Sequence, residues 1–206
     1  MIIRKLTEYE REDVEDFYLT LSADDRRKRF CCMLSDEALC RYVGSLEFMR
    51  HTILGAFNEH AQLIGLAELA SGAEQSELAF SVRPDARSRG IGTRLMERLL
   101  LYAGICGIGQ VVVMFLSDNI PMRRMAQSAG MTVSTGGGEA YASKELAGPS
   151  AEVLSSWFIQ EAVAHSEYFS LLGIQRWESL ISQSQLLVAG ASKTLGAIAA
   201  SPTYRT

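Results

Sequence analysis

Residues Phe80 to Met96 place the tightest constraint on this chain. An apolar, strand-like segment, Phe80-Ser81-Val82, runs into Pro84-Asp85. A basic glycine loop, Arg87-Ser88-Arg89-Gly90-Ile91-Gly92, then opens a helix through Thr93, Arg94, Leu95 and Met96. Pro84 cannot continue a strand ladder, so the chain leaves its sheet there. A loop at a helix start presents backbone N–H groups, and the helix dipole adds partial positive charge. Gly90 and Gly92 carry no Cβ to hold a ligand away. Arg87, Arg89 and Arg94 add positive charge, and the stretch reads as a seat for a pyrophosphate. It is not a P-loop, because no Gly-Lys-Ser/Thr follows. Gly104, Gly107 and Gly109 lie at a helix end, which argues against a dinucleotide fingerprint.

The surrounding segments follow a definite order. Ile2, Ile3 and Leu6 begin a short strand. Thr7, with Glu10 three residues on, makes a capping-box start for a helix whose apolar positions are Val14, Phe17, Tyr18 and Leu21. Ser22 opens a second helical piece carrying Asp24-Asp25-Arg26-Arg27-Lys28-Arg29, which reads as a solvated face rather than a binding patch. Ser35 starts a third helix with Leu39, Tyr42, Val43 and Leu46 on its apolar side. The period then changes: 52–57, 63–69 and 76–82 read as strands of an antiparallel meander, with turns at 58–61 and 71–73. After the glycine loop, Ile91, Leu95, Leu99, Tyr102 and Cys106 mark the buried side of a helix closed by Gly107. The apolar run 111–116 suits a central strand. Asp118-Asn119 leads a helix with Pro121 in its first turn and Gly130 at its end. Segments 131–134 and 140–146 are two last strands joined across Gly136-Gly137-Gly138.

Gly148-Pro149-Ser150 is the best boundary and divides 1–146 from 147–206. Beyond it no strand signal remains. One helix starts at Ser150 with Val153, Leu154, Trp157 and Phe158 apolar, and another runs from about Ile174. Ile174, Ile181, Val188 and Leu195 are seven apart, as are Trp177, Ser184, Ala191 and Ile198. Flanking charges are few, so a helix packed on a helix or on the domain fits better than a charge-specified coiled coil. A homodimer or a helix partner through 150–200 is the corresponding expectation.

Composition narrows the function classes. At 48% hydrophobic and 21% charged residues, 206 residues can bury a core. A net charge of −4 argues against nucleic acid as the main partner. Cys31, Cys32, Cys40 and Cys106 lack zinc-ligand spacing, and His51, His60 and His165 are scattered, so no metal is expected. Cys106 is expected in the core. With no secretory h-region and no run of membrane-span length, the expectation is a cytoplasmic protein with reduced thiols.

The order of strand, two helices, meander, glycine loop and helix, apolar strand, Asn-led helix and two strands resembles the GNAT (GCN5-related N-acetyltransferase) fold over about 1–146. This implies an α/β (α+β) domain with a mixed, mostly antiparallel sheet flanked by helices, followed here by C-terminal helices. The most specific piece is Arg87-Ser-Arg-Gly90-Ile-Gly92, which matches the family's acetyl-CoA loop in its strand–loop–helix setting. Asn119 through Gly130-Met131 is placed like the family's Asn-led helix. Leu21-Ser-Ala-Asp-Asp-Arg-Arg-Lys-Arg-Phe30 is similar to a segment of protein-acetylating members. The resemblance implies acetyl-CoA as co-substrate. Arg87, Ser88, Arg89, Gly90, Ile91, Gly92 and Thr93 would hold its pyrophosphate. Phe80, Ser81 and Val82 would pair with the pantetheine arm, and Asn119 would contact that arm or the acceptor side. Arg123 and Arg124 either approach the nucleotide end or are exposed helix charges.

Acetyl transfer to an amine needs a neutral nucleophile, and an alkyl ammonium, which in lysine has an ordinary pKa of ~10.4, needs a base at neutral pH. Glu77 matches the position of the catalytic glutamate in histone-type members, and Glu68 on the preceding strand is the reserve. Strand alternation puts Glu77, Ala79 and Ser81 on one face and Leu78, Phe80 and Val82 on the other, leaving open which face meets the acceptor. The developing negative charge on the thioester oxygen calls for a donor such as a backbone N–H near Val82. Where many members carry a general-acid tyrosine this chain has Ala126, and Met131 replaces the usual Phe. Either the thiolate leaves without that acid, or Ser128 or Tyr141 stands in. Two other classes compete with an acetyltransferase: a non-catalytic acetyl-CoA-sensing module acting through its tail, and an interaction protein in which the tail is the active part.

Overall fold

The computed structural model describes residues 1–71, 75–148 and 150–199; the side chains of 71, 152, 153, 156, 178–180 and 183–199 lie outside that description. The expected turn at 71–73 and Pro149 of the expected boundary therefore fall wholly or partly outside the described residues, as do the side chains of Val188 and Leu195 in the seven-residue repeat.

In chain order the elements are β1 (Ile2–Lys5), a 3-10 turn (Glu8–Glu10), α1 (Arg11–Leu19), α2 (Ala23–Phe30), α3 (Asp36–Gly44), β2 (His51–Phe57), β3 (Leu63–Ser71) and β4 (Ser76–Val82). A second 3-10 turn (Pro84–Ala86), α4 (Ile91–Ile105), β5 (Gln110–Leu116), α5 (Ile120–Ser128), β6 (Thr132–Gly136), β7 (Glu139–Glu145) and α6 (Ala151–Ala199) follow. Thr7 and Glu10 form the expected capping box, on a 3-10 turn that leads into α1. Ser22 and Ser35 accept backbone N–H bonds at the starts of α2 and α3.

The seven strands form one sheet in the order β1-β2-β3-β4-β5-β7-β6. All neighbours are antiparallel except β4 and β5. That parallel pair is short: Ser76 faces Val111, Glu77 faces Val112, and no pairing continues beyond them. The rest of β4 and β5 therefore border a splay in the middle of the sheet.

Each sheet face has its own core. On one, Leu54, Ala67, Leu69, Leu78, Val113 and Phe115 pack against Leu95, Met96 and Leu99 of α4. On the other, Ile53, Phe57 and Leu66 pack against Val14, Phe17 and Tyr18 of α1 and Leu39 and Val43 of α3. Burial of one such Leu or Phe side chain contributes roughly 1.5–3 kcal/mol, and the two cores hold β2 and β3 from both sides.

Three expectations are corrected. The tail forms one continuous helix, α6, where two were expected; Gly173 leaves a helix intact when nothing else stops it. Cys106 is exposed rather than in the core, because α4 ends at Ile105 and Cys106 sits at the cap, where the helical period no longer sets its direction. The charge run 24–29 is a solvated face only in part: Asp24, Arg27 and Lys28 meet solvent, while the Arg26 and Arg29 side chains are only 12% and 10% exposed.

α6 closes the β1 edge of the sheet. The Lys5 N–H donates to Glu161 Oε1 at 2.9 Å, and Arg98 pairs with Glu161 Oε2 at 3.0 Å. Trp157 is buried with its ring 5.1 Å from Tyr102. The Arg4 guanidinium lies 3.9 Å from the Tyr168 ring centroid and 4.7 Å from that of Phe57. Glu161 thereby takes up an outward donor of the edge strand, and the helix stands where another strand would add. Phe158, Ile159, Phe169, Ile174 and Trp177 of the same helix are exposed.

Candidate active site

The splay is where the functional residues gather. Arg83 N–H donates to the Ile64 carbonyl at 3.0 Å. Because backbone groups alternate along a strand, the odd-numbered residues of β4 bond to β3. The even-numbered Phe80 and Val82 then turn their N–H groups toward β5, where pairing has already stopped. Their side chains pack on the α4 core. Glu77 opposes Ala70, Ala79 opposes Glu68 and Ser81 opposes Leu66, so Glu77, Ala79 and Ser81 share the face covered by α1–α3. Ser81 is buried, its Oγ without a hydrogen-bond partner among the described residues.

At the open end of β4 the glycine loop is exposed from Arg87 to Gly90, while Ile91 is buried as a plug into the core. Ser88 (φ 62°) and Gly90 (φ 75°) both adopt left-handed backbone. That conformation is strained for Ser88 and turns consecutive amides toward one side. No side chain caps α4, and its first backbone bond runs from Arg94 N–H to the Gly90 carbonyl at 3.0 Å. The amides ahead of Arg94 are left to a ligand. A Cβ on Gly92 would come within 3.0 Å of Met125 Sδ, so glycine there lets α4 approach α5. The Arg87 guanidinium is committed within the protein: its Nε donates to the Val82 carbonyl at 3.1 Å and its Nη2 to Asp25 Oδ1 at 2.5 Å.

Across the splay, the Asn119 side-chain oxygen accepts the Met122 N–H at 3.2 Å and caps α5, leaving its NH₂ group for other use. Arg123 turns back to the Ser117 carbonyl at 3.0 Å, and Arg124 is exposed. Ala126 is fully buried in the α4-side core, so the position of the family's tyrosine holds no polar group. Ser128 lines a groove of about 460 Å³ with Thr93, Met96 and Lys144. Another, of about 430 Å³, lies between β1, α4 and α6. Neither includes Glu77 or the strand segments bordering the splay.

The two candidate bases differ sharply. Glu68 is 3% exposed. One of its oxygens accepts the Tyr18 hydroxyl, the other accepts the Tyr42 hydroxyl and pairs with Arg29 Nη2 at 3.0 Å. A carboxylate this buried, with both oxygens engaged by three partners, ties helices to the sheet and is shut off from an acceptor arriving from solvent. Glu77 is exposed and stands on the last paired rung before the splay.

Around Glu77 lie groups that the spacing of residues does not bring together. The Tyr141 hydroxyl donates to Glu139 Oε2 at 3.0 Å, and this bond, with the charges of Glu139 and Glu77, holds the phenol above its usual range. The Cys31 thiol is pushed up by burial first, then by Glu139, Cys32 and Glu77. Glu139 and Tyr141 of β7 oppose Leu116 and Met114 of β5. The register of β7 on β5 brings them to this face; the sequence names Tyr141 as a stand-in acid but gives no signal for Glu139 beside it.

A family model described as an acetyltransferase (GNAT) domain matches residues 1–132. Among solved structures, the GNAT domain of S. lividans PAT is similar at 23% identity and TM-score 0.60, over 70% of this chain and 89% of that one. The ribosomal-protein-alanine N-acetyltransferase from Brucella melitensis is similar at 18% identity and TM-score 0.57, over 71% and 100% of the two chains. The acetyltransferase yncA from Salmonella typhimurium, solved with acetyl-CoA, is similar at 19% identity and TM-score 0.56, over 73% and 98%. No curated protein matches the chain.

Proposed function

The chain belongs to the GNAT acetyltransferase family, and from that premise we propose that it transfers the acetyl group of acetyl-CoA to a primary amine with Glu77 as general base. The observation that carries this reading is the place of Glu77, exposed on the last rung where β4 and β5 part. The free amides of Phe80 and Val82 line the same splay, with the open amides of 88–93 at its mouth. These residues suit a pantetheine arm ending in a pyrophosphate, with Asn119 on the opposite lip. Bound there, acetyl-CoA supplies a thioester carbonyl as the electrophile.

The protein's part is to move protons and steady charge. Glu77 takes a proton from the acceptor ammonium, directly or through one water, freeing the nitrogen lone pair to form the new C–N bond. A β4 amide facing the splay donates to the oxygen on which negative charge develops. The adduct nitrogen gives up its second proton to solvent as the oxyanion collapses and the C–S bond breaks. Tyr141, which stays protonated at neutral pH and shares Glu77's neighbourhood, is the donor to the leaving thiolate in place of the absent tyrosine at Ala126. The carboxylates of Glu77 and Glu139 on one face favour a cationic acceptor over an anionic one. The exposed apolar side of α6 is assigned to a helix partner or a second copy.

The test is an acceptor screen of small amines and lysine-bearing peptides, read by free-thiol release from acetyl-CoA. Glu77→Gln is expected to lower kcat by about 10²-fold or more, with acetyl-CoA affinity unchanged. Tight acetyl-CoA binding with no thiol release from the wild type across the panel would instead make the chain a binding module.

A further inference from the structure

Helix α2 has a position that neither the fold nor the proposed chemistry requires. It is seated from within: Arg29 pairs with Glu68 at 3.0 Å, and Phe30 packs its ring 5.1 Å from Tyr42. Arg26 donates to the carbonyls of Leu19 and Leu21, both at 3.1 Å, and pairs with Asp36 at 2.5 Å. From this seat two ion pairs reach opposite lips of the splay. Asp25, 9% exposed, accepts from Arg87 Nη2 at 2.5 Å with Oδ1, while Oδ2 accepts the Ser22 hydroxyl at 2.7 Å. The same Arg87 grips the Val82 carbonyl at the end of β4. Arg27 Nη2 reaches Asp118 Oδ2 at 3.0 Å, next to Asn119 at the end of β5. A single eight-residue helix thus spans a sheet opening that no backbone pairing closes.

We propose that α2 is a strut that sets the width of the cofactor groove, with Asp25 and Arg27 as positioning residues holding the glycine loop and the Asn119 loop at a fixed separation. The inference rests on the acetyl-CoA reading above. In this arrangement Arg87 contributes the posture of the loop, and its guanidinium is not a phosphate ligand. Arg's planar fork is what lets one side chain tie the Val82 carbonyl and Asp25 together.

The test is calorimetric acetyl-CoA binding by the full chain as wild type, Asp25→Asn, Arg87→Gln and the double variant. Asp25→Asn, nearly isosteric, is expected to weaken binding about tenfold, a usual size for coupling between adjoining sites. The double variant should bind within about twofold of the weaker single one, because both substitutions break one contact. Arg27→Ala and Asp118→Asn, at the more exposed pair, should each cost about threefold and likewise fail to add. KM for acetyl-CoA should rise with Kd, while kcat for the amine that the wild type acetylates holds within about twofold. A general loss of structure would not produce that split.

If Asp25→Asn binds as well as the wild type, or tighter because a released Arg87 reaches the phosphates, the strut is overturned and the acetyl-CoA reading stands. A wild type that does not bind acetyl-CoA overturns the reading and the strut together. Should Asp25→Asn fail to fold, the surface pair Arg27 and Asp118 carries the same test, and unchanged affinity there overturns the proposal.

Discussion

Two basic stretches, 24–29 and 87–94, look alike in the sequence and behave as opposites in the structure. In the first, Arg26, Arg27, Lys28 and Arg29 all have acidic partners. In the second, Arg87 alone is paired with a carboxylate among the described residues, the loop is exposed, and its amides are uncapped. The first spends its charge on holding the protein together; the second keeps its donors for a ligand. Formal charge therefore says little about binding until one knows which cations have partners. Here a short helix seated over the buried Glu68 and flanked by exposed Asp24, Asp36 and Asp118 uses up its charge, and a strained loop at a helix start does not.

The sharpest way to break this contrast is to remove a cation from each stretch. Arg29→Ala leaves Glu68 buried without its counter-charge, which is expected to cost about 3–5 kcal/mol and to appear as a large drop in Tm. A solvated arginine would change stability by less than about 0.5 kcal/mol, and such a result would return 24–29 to a surface role. Arg89→Ala should do the reverse: stability within about 0.5 kcal/mol of wild type, with acetyl-CoA affinity reduced a few-fold and less dependent on salt. Gly90→Ala, at φ 75°, should lower stability by about 1–2 kcal/mol and weaken cofactor binding as well.

A subtler check uses pH. Burial raises the Tyr18 and Tyr42 phenols; Arg29 pulls the other way, and Glu68 adds to burial. These phenols stay neutral in the folded protein while unfolded tyrosine ionises at pH ~10. The stability they contribute is complete below about pH 10 and is lost as pH rises further. Of the seven tyrosines, at least these two should stay silent in a tyrosinate absorbance titration to about pH 11 and ionise only on unfolding. Early ionisation of all seven would mean that the α2 network is open to water.

Much of the scaffold was legible because its signals are local. Pro84 ends a strand, Ser22 and Ser35 cap helices, Gly107 and Gly130 close them, and the change of period at 52 announces the meander; each depends on a few neighbouring residues. The glycine loop was legible for the same reason. What was hidden depends on pairs far apart in the chain. Arg29 meets Glu68 across 39 positions, and no periodicity in an eight-residue helix shows that Arg26 and Arg29 turn inward while Arg27 and Lys28 do not. Tyr141 and Glu139 reach the face of Glu77 only through the register of β5 with β7. Strand alternation sorted β4 into two faces, but only the pairing of Ala79 with Glu68 showed that Glu77 looks toward α1–α3. The tail misled for another reason: its apolar positions after Ser150 and those after about Ile174 read as two separate stripes, and one continuous helix carries both.

The most direct measurement is the pattern of backbone amide shifts when acetyl-CoA is titrated into the labelled full-length chain. The largest changes should fall on Phe80, Val82 and residues 88–93, with smaller ones at Asn119 and near Asp25. Shifts confined to the groove between β1, α4 and α6, around Ile3, Leu101 and Val163, would place the ligand elsewhere and contradict the account.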